Sequence, residues 1–222
     1  MTIGFVPEAL FFDMDGLLLD TERVGSSAFS QITRDHGIAE HEAVAFYATL
    51  VGTASAATRA RVAEFIAGVD IDAFIATWHQ TVAAIMADGV PVKPTVAETL
   101  RELSDRGTRM LVVTSTGGAR ARGHLDSAGL LHHFETVIGG DEVSANKPDP
   151  APYREAARRL GVDPGWTVAF EDSDHGVASA VGAGCVTVQI PDVRPSNVGF
   201  PNLGQHLADD LASAVRLLGL SD

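Results

Sequence analysis

A chain of 222 residues that is 45% hydrophobic and 20% charged has room for one domain, or one domain with a sizeable insertion, and is too apolar to stay disordered. Lys plus Arg number 16 and Asp plus Glu 29, a formal net charge of −13, which repels phosphate backbones and anionic lipid, so neither nucleic acid nor a membrane is an expected partner. The longest uncharged stretch, Gly176 to Pro191, is too short to span a bilayer and is interrupted by Gly182 and Gly184.

No Lys or Arg precedes Arg23, and Cys185 is the single cysteine, so a secretory n-region and an internal disulfide are both missing. The expectation is a cytoplasmic protein, a monomer or weak dimer. An acidic surface gives a small phosphorylated substrate no long-range attraction. Such a substrate needs a local cation, from a side chain or a bound metal.

In chain order, the first β-like run is Ala9 to Asp13. From about Arg23 to Asp88 the pattern is all helical, with segments at Ser26 to His36, Glu42 to Leu50, Ala56 to Ala67 and Ala73 to Ala87. Gly89, Pro91 and Pro94 mark the end of this insertion. Beyond it, helices at Val96 to Arg106, Ala119 to Ala128 and Pro152 to Leu160 alternate with strands at Met110 to Thr114, Thr136 to Ile138, Thr167 to Phe170 and Val186 to Ile190. Gly107, Gly129 and Gly161 stand at the C′ positions of the three helices. Alternation of this kind predicts an α/β fold, a doubly wound, Rossmann-like parallel sheet, with an all-helical cap inserted. The predicted core is 1–20 and 89–222, and the cap 21–88.

The strongest chemical signal is Phe11-Phe12-Asp13-Met14-Asp15-Gly16. It places two carboxylates at the carboxyl end of a hydrophobic strand, where open α/β sheets bind ligands. Taken alone, Asp-x-Asp-Gly is equally a polar strand end with a tight turn. Three further elements follow in order: Leu111-Val112-Val113-Thr114-Ser115, Asn146-Lys147-Pro148 and Phe170-Glu171-Asp172-Ser173.

With these four motifs, the chain resembles the phosphatases of the haloacid dehalogenase superfamily, in the β-phosphoglucomutase-like branch whose helical cap follows the first strand. The resemblance covers nearly the whole chain. It implies that Asp13 is a nucleophile and Asp15 an acid/base, that Thr114 and Ser115 bind phosphate, that Lys147 is the motif lysine, and that Glu171 and Asp172 are the acidic pair. It also implies that the cap closes over the site, with Gly52 in its glycine-containing loop.

The residue types suit that chemistry. A phosphomonoester dianion repels a carboxylate nucleophile unless its charge is neutralised and the approach is in line. Lys147 and a Mg²⁺ ion can do this, and Asp13, the backbone carbonyl of Asp15, and Glu171 or Asp172, with Asp172 favoured, would supply the ion's protein oxygens. The Thr116-Gly117-Gly118 turn before a helix offers amides to an anion. Asp15 supplies the proton that an alkoxide leaving group needs, so phosphate esters are the expected substrates, over the halides and phosphonates of related families.

The cap says less. Glu22 and Arg23 follow its hinge, and Arg59, Arg61, Trp78 and His79 either face the substrate or pack and solvate an amphipathic helix. The family's sugar-phosphate mutase carries cap cations that are replaced here by Ser55 and Gly25, and no lysine precedes Lys93, which favours hydrolysis. Cys185 reads as core, His132 and His133 as capping or surface residues, and His175 as a polar residue at a helix start. The expected activity is hydrolysis of a small sugar- or nucleoside-type phosphate ester. A phosphomutase, or an idle phosphate-binding protein, is the alternative.

Overall fold

A computed structural model of the chain describes residues 4–50, 55–87, 89–193 and 199–220. Its elements run β1 (Ala9–Phe12), α1 (Thr21–Thr33), α2 (Glu40–Ala48), α3 (Ser55–Phe65), α4 (Ile71–Ala87), α5 (Val96–Asp105), β2 (Met110–Val113), α6 (Gly118–Ser127), β3 (Thr136–Ile138), α7 (Ala151–Leu160), β4 (Thr167–Glu171), α8 (Asp174–Ala183), β5 (Val186–Gln189), β6 (His206–Leu207) and α9 (Leu211–Leu217). The chain divides into two compact units, one of Met1–Asp20, Val92–Asp192 and Gly199–Asp222, the other of Thr21–Pro91 with Val193–Val198.

The first unit is built on a six-stranded sheet in the order β3-β2-β1-β4-β5-β6, every neighbouring pair parallel. All residues of β1, β2 and β4 are buried, so both faces of the central strands are covered, as continuous apolar runs in parallel sheets require. On one face Tyr153 and Ala156 of α7 and Ala180 of α8 join Phe11, Leu111 and Val113. Each large side chain buried here contributes about 1.5–3 kcal/mol. The chain lays β2 and β3 on one side of β1, then crosses back from β3 to lay β4, β5 and β6 on the other. The carboxyl end of β1 is therefore the topological switch point at which such sheets bind ligands.

Most strands lie where the hydrophobic runs predict them. One boundary differs with a consequence: β4 continues through Glu171, which pairs with Gln189. The acidic pair is therefore split between the strand's last residue and the loop beyond it. Strand β6 and helix α9 were not anticipated. The two residues of β6 are exposed, too short and too polar for a period-2 signal.

The second unit is a helical bundle whose hub is Phe29, with the rings of Phe46, Tyr47, Phe65, Phe74 and Trp78 at 5.0–6.4 Å. Helix α1 starts at Thr21, five residues before the expected Ser26. Gly25 lies within this helix and serves close packing: a β-carbon at that position would lie 2.2 Å from the Tyr47 hydroxyl oxygen. The Gly25 carbonyl accepts a hydrogen bond from Trp78 Nε1 at 3.1 Å.

Thr95, ahead of α5, is the one non-glycine residue with positive φ among those described (φ 66°), and its side chain makes no cap hydrogen bond. A β-branched residue in the left-handed region costs about 1–2 kcal/mol, part of which a glycine's extra freedom in the unfolded chain offsets. Thr95→Gly is expected to stabilise the chain by about 0.5–1 kcal/mol in urea unfolding; a lower midpoint would contradict this strain.

Candidate active site

The loop after β1 carries the first two carboxylates. Asp13 continues the strand ladder by one bond, its amide donating to the Phe170 carbonyl at 3.0 Å. The chain then folds back on itself: Gly16 N donates to Leu19 O, and the amides of Leu18 and Leu19 both reach Met14 O. Met14, Leu17, Leu18 and Leu19 are buried and hold this turn to the core. Gly16 is obligatory here. Its φ is +82°, and a β-carbon would lie 2.4 Å from Oδ2 of Asp172.

Asp13 is 6% exposed, and its Oδ1 accepts a hydrogen bond from Lys147 Nζ at 2.5 Å. The same ammonium donates to the Val113 carbonyl at the end of β2 (2.8 Å) and pairs with Glu171 Oε1 at 2.6 Å. Tyr153, from α7, donates its hydroxyl to that Glu171 oxygen at 2.5 Å. A fully buried glutamate in a strand is costly unless paired. Lys147 and Tyr153 are what permit Glu171 to sit inside the sheet. The lysine loop is fixed from below by Ser179 Oγ, which donates to the Asp149 carbonyl at 2.5 Å.

Asp172 lies just before α8, whose N-cap is Ser173, its hydroxyl accepting the Gly176 amide. Buried Gln189 donates to Asp174 Oδ1 (3.0 Å) and the Asp172 carbonyl (3.4 Å).

Crowding leaves its mark on protonation. Burial pushes the Asp13 carboxyl up to about 7; Lys147 opposes this, and Glu171 and Asp15 add to it. Asp172 is raised as well, first by burial and then by Asp13 and Glu171. For Lys147, burial acts to lower the pKa, but Asp13 and Glu171 outweigh it and hold it above the ordinary lysine value. These are the marks of excess buried negative charge.

A cation held here would answer that excess. Oxygens of Asp13, Glu171 and Asp172 lie within 4.8 Å of one another, and Glu171 Oε2 is buried with no hydrogen-bond partner. An all-oxygen donor set of this charge fits a hard ion such as Mg²⁺.

Asp15 is turned toward the loop after β2. Its Oδ2 accepts from Thr116 Oγ1 at 2.8 Å and lies 3.4 Å from Thr114 Oγ1. Two of the amides expected to face an anion are already engaged: Thr116 N donates to Thr114 Oγ1, and Gly118 N to Asp141 Oδ1. Ser115 is exposed at the head of this turn.

Asp13, Asp15, Thr114, Ser115, Lys147, Glu171 and Asp172 all stand on the first unit, in the loops and strand ends at one edge of the sheet. The cap candidates belong to the helical unit. Glu22 Oε2 there accepts the Tyr47 hydroxyl at 2.6 Å, Arg23 is exposed, and Gly52 lies outside the described residues. Trp78 is a core residue, Arg59 pairs with Asp72, and Arg61 donates to the carbonyl and hydroxyl of Thr49. His79 and His175 are exposed, His133 bonds Ser104 Oγ, and Cys185 is buried just ahead of β5. No helix among the described residues is long and apolar enough to cross a membrane.

Sequence reasoning missed Tyr153 and Asp192. Helical spacing puts Tyr153 on the buried face of α7, but spacing alone does not say where its hydroxyl ends. Asp192 carries one available signal, its place just beyond the carboxyl end of a core strand.

Residues 10–190 match the family model described as "Haloacid dehalogenase-like hydrolase". Protein CbbY of Rhodobacter capsulatus is 32% identical over 222 residues, covering 95% of this chain and 97% of that protein. The fructose-1-phosphate phosphatase YqaB of Escherichia coli (strain K12) is 30% identical over 181 residues, 82% of this chain and 95% of that one. Among solved structures, CbbY from Rhodobacter sphaeroides in complex with phosphate aligns at 28% identity with a TM-score of 0.70, covering 96% of this chain and 99% of that one.

Proposed function

Since the chain belongs to the haloacid dehalogenase-like hydrolases, we infer that it is a Mg²⁺-dependent phosphatase of small phosphorylated sugars, working through an aspartyl-phosphate on Asp13. The observation that carries this reading is the Lys147 ammonium 2.5 Å from Asp13, on a carboxylate placed at the switch point of the sheet. Lys147 both orients the nucleophile and supplies positive charge where a phosphoryl oxygen arrives.

Asp13, Asp172 and the Asp15 carbonyl would hold the ion. Glu171 is engaged chiefly with Lys147 and Tyr153. The ion would neutralise phosphate charge, which otherwise repels the approaching carboxylate. An Asp13 oxygen then attacks phosphorus as the ester oxygen leaves, and Asp15, protonated, donates its proton to that oxygen. In the second half Asp15 takes a proton from water, whose oxygen attacks the aspartyl-phosphate and releases inorganic phosphate with Asp13 restored. Thr114 and Ser115, beside Asp15, are the proposed phosphate contacts. The hydroxyl of Thr116 holds Asp15 ready between the two halves.

The sugar-phosphate substrate class follows from relatives such as the fructose-1-phosphate phosphatase. Hydrolysis is favoured over a mutase because the helical unit has no lysine to hold a bisphosphate in two orientations. Phosphorus NMR of the purified protein with a hexose 1-phosphate and Mg²⁺ tests this. Inorganic phosphate is expected as the accumulating product; faster accumulation of hexose 6-phosphate would overturn the hydrolase reading.

A further inference from the structure

Beyond β5 the chain is pinned to the site: Ile190 N donates to the Glu171 carbonyl at 2.7 Å. Two residues later comes Asp192, whose side chain is 10% exposed. One of its oxygens, Oδ1, is paired with Lys93 Nζ. Lys93 is itself tied to the loop that carries Asp13 and Asp15, because its amide donates to Leu18 O at 3.0 Å.

The other oxygen of Asp192 is the informative one. Oδ2 is buried and has no hydrogen-bond partner. It faces Gly16, lying 3.2 Å from where a β-carbon on that residue would be, the same point that lies 2.4 Å from Asp172 Oδ2. An ion pair formed only to staple two loops together has no reason to bury its second carboxylate oxygen without a protein donor, against the same glycine that Asp172 Oδ2 abuts. Mg²⁺ dehydrates reluctantly and keeps several waters when bound, and such waters are strong donors to carboxylates just outside the ligand set.

We propose that Asp192 is an outer carboxylate of the metal site: one oxygen pairs with Lys93, and the other accepts a hydrogen bond from the water shell of the cation held by Asp13 and Asp172. The backbone bond from Ile190 to Glu171 holds Asp192 in place, and Lys93 partly offsets its charge. The inference rests on the metal-dependent reading above.

Calorimetric titration of the full-length chain with Mg²⁺, without substrate, tests it. Asp192→Asn keeps the size of the side chain, but its one carbonyl oxygen goes to Lys93 and an NH₂ group, which cannot accept, faces the site. Its Kd for Mg²⁺ is expected to rise about tenfold or more, the range seen when a partner outside the ligand set is removed. Lys93→Met leaves the acceptor and removes an opposing positive charge, so its Kd is expected to stay at the wild-type value or fall. It also decides the matter if Asp192→Asn does not fold. Wild-type affinity in folded Asp192→Asn, or weakened binding in Lys93→Met, would overturn the proposal while leaving the metal-dependent reading intact. A wild-type chain that binds no Mg²⁺ and releases phosphate in excess chelator would instead overturn that reading, and this proposal with it.

Discussion

Asp13→Asn is expected to lower phosphate release by at least about a hundredfold, because an amide is a poor nucleophile and a covalent route without its nucleophile loses most of its rate. The loss belongs to chemistry, not to folding. Burial already pushes the Asp13 carboxyl up to about 7, against the pull of Lys147, so above that pH an ionised Asp13 costs the cation-free fold stability. Asparagine removes that charge, and Lys147 keeps Glu171 and the Val113 carbonyl as partners. The cation-free variant is therefore expected to melt at least as high as the wild type at pH 8. A folded Asp13→Asn protein retaining more than about a hundredth of wild-type turnover would remove Asp13 as nucleophile.

Asp15→Asn separates the two halves of the reaction by leaving-group acidity. Nitrophenolate departs without a proton, so the variant is expected to phosphorylate itself from p-nitrophenyl phosphate and then stall, since the water that should release the phosphoryl group lacks its base. Absorbance after rapid mixing is expected to show a burst near one equivalent, then a steady state lowered by about 10²- to 10⁴-fold. A sugar phosphate needs the acid in the first step and is expected to give no burst. The substitution is mild structurally, because asparagine keeps an acceptor for Thr116 Oγ1, now 2.8 Å from Asp15 Oδ2. Wild-type steady-state rates on both substrates would exclude Asp15 from proton transfer.

What the sequence made legible follows from how local each signal is. Phe11-Phe12 before Asp13-Met14-Asp15-Gly16 marks a strand, its end and its two carboxylates within a few residues. Lys147 was legible through its neighbours and its order after a strand. The pairings that make the site work span long separations. Tyr153 reaches Glu171 from another element, and Lys93 meets Asp192 across 99 positions. No local pattern carries either pairing. Glu171 was placed one residue outside its strand because a glutamate in a sheet interior runs against propensity. The Lys147 and Tyr153 contacts that reverse that preference exist only once the fold has formed. The role of Gly25 in α1 is hidden for the same reason, since the Tyr47 side chain that demands a glycine there lies on another helix.

The covalent route through Asp13 is the centre of this account, and one measurement reaches it directly. The Asp15→Asn protein, mixed with p-nitrophenyl phosphate and Mg²⁺, quenched in acid during the burst and digested, should carry a single phosphoryl group on the peptide containing Asp13, located there by fragment masses. A full burst with no phosphorylated peptide, or with the phosphoryl group on any other residue, would contradict it.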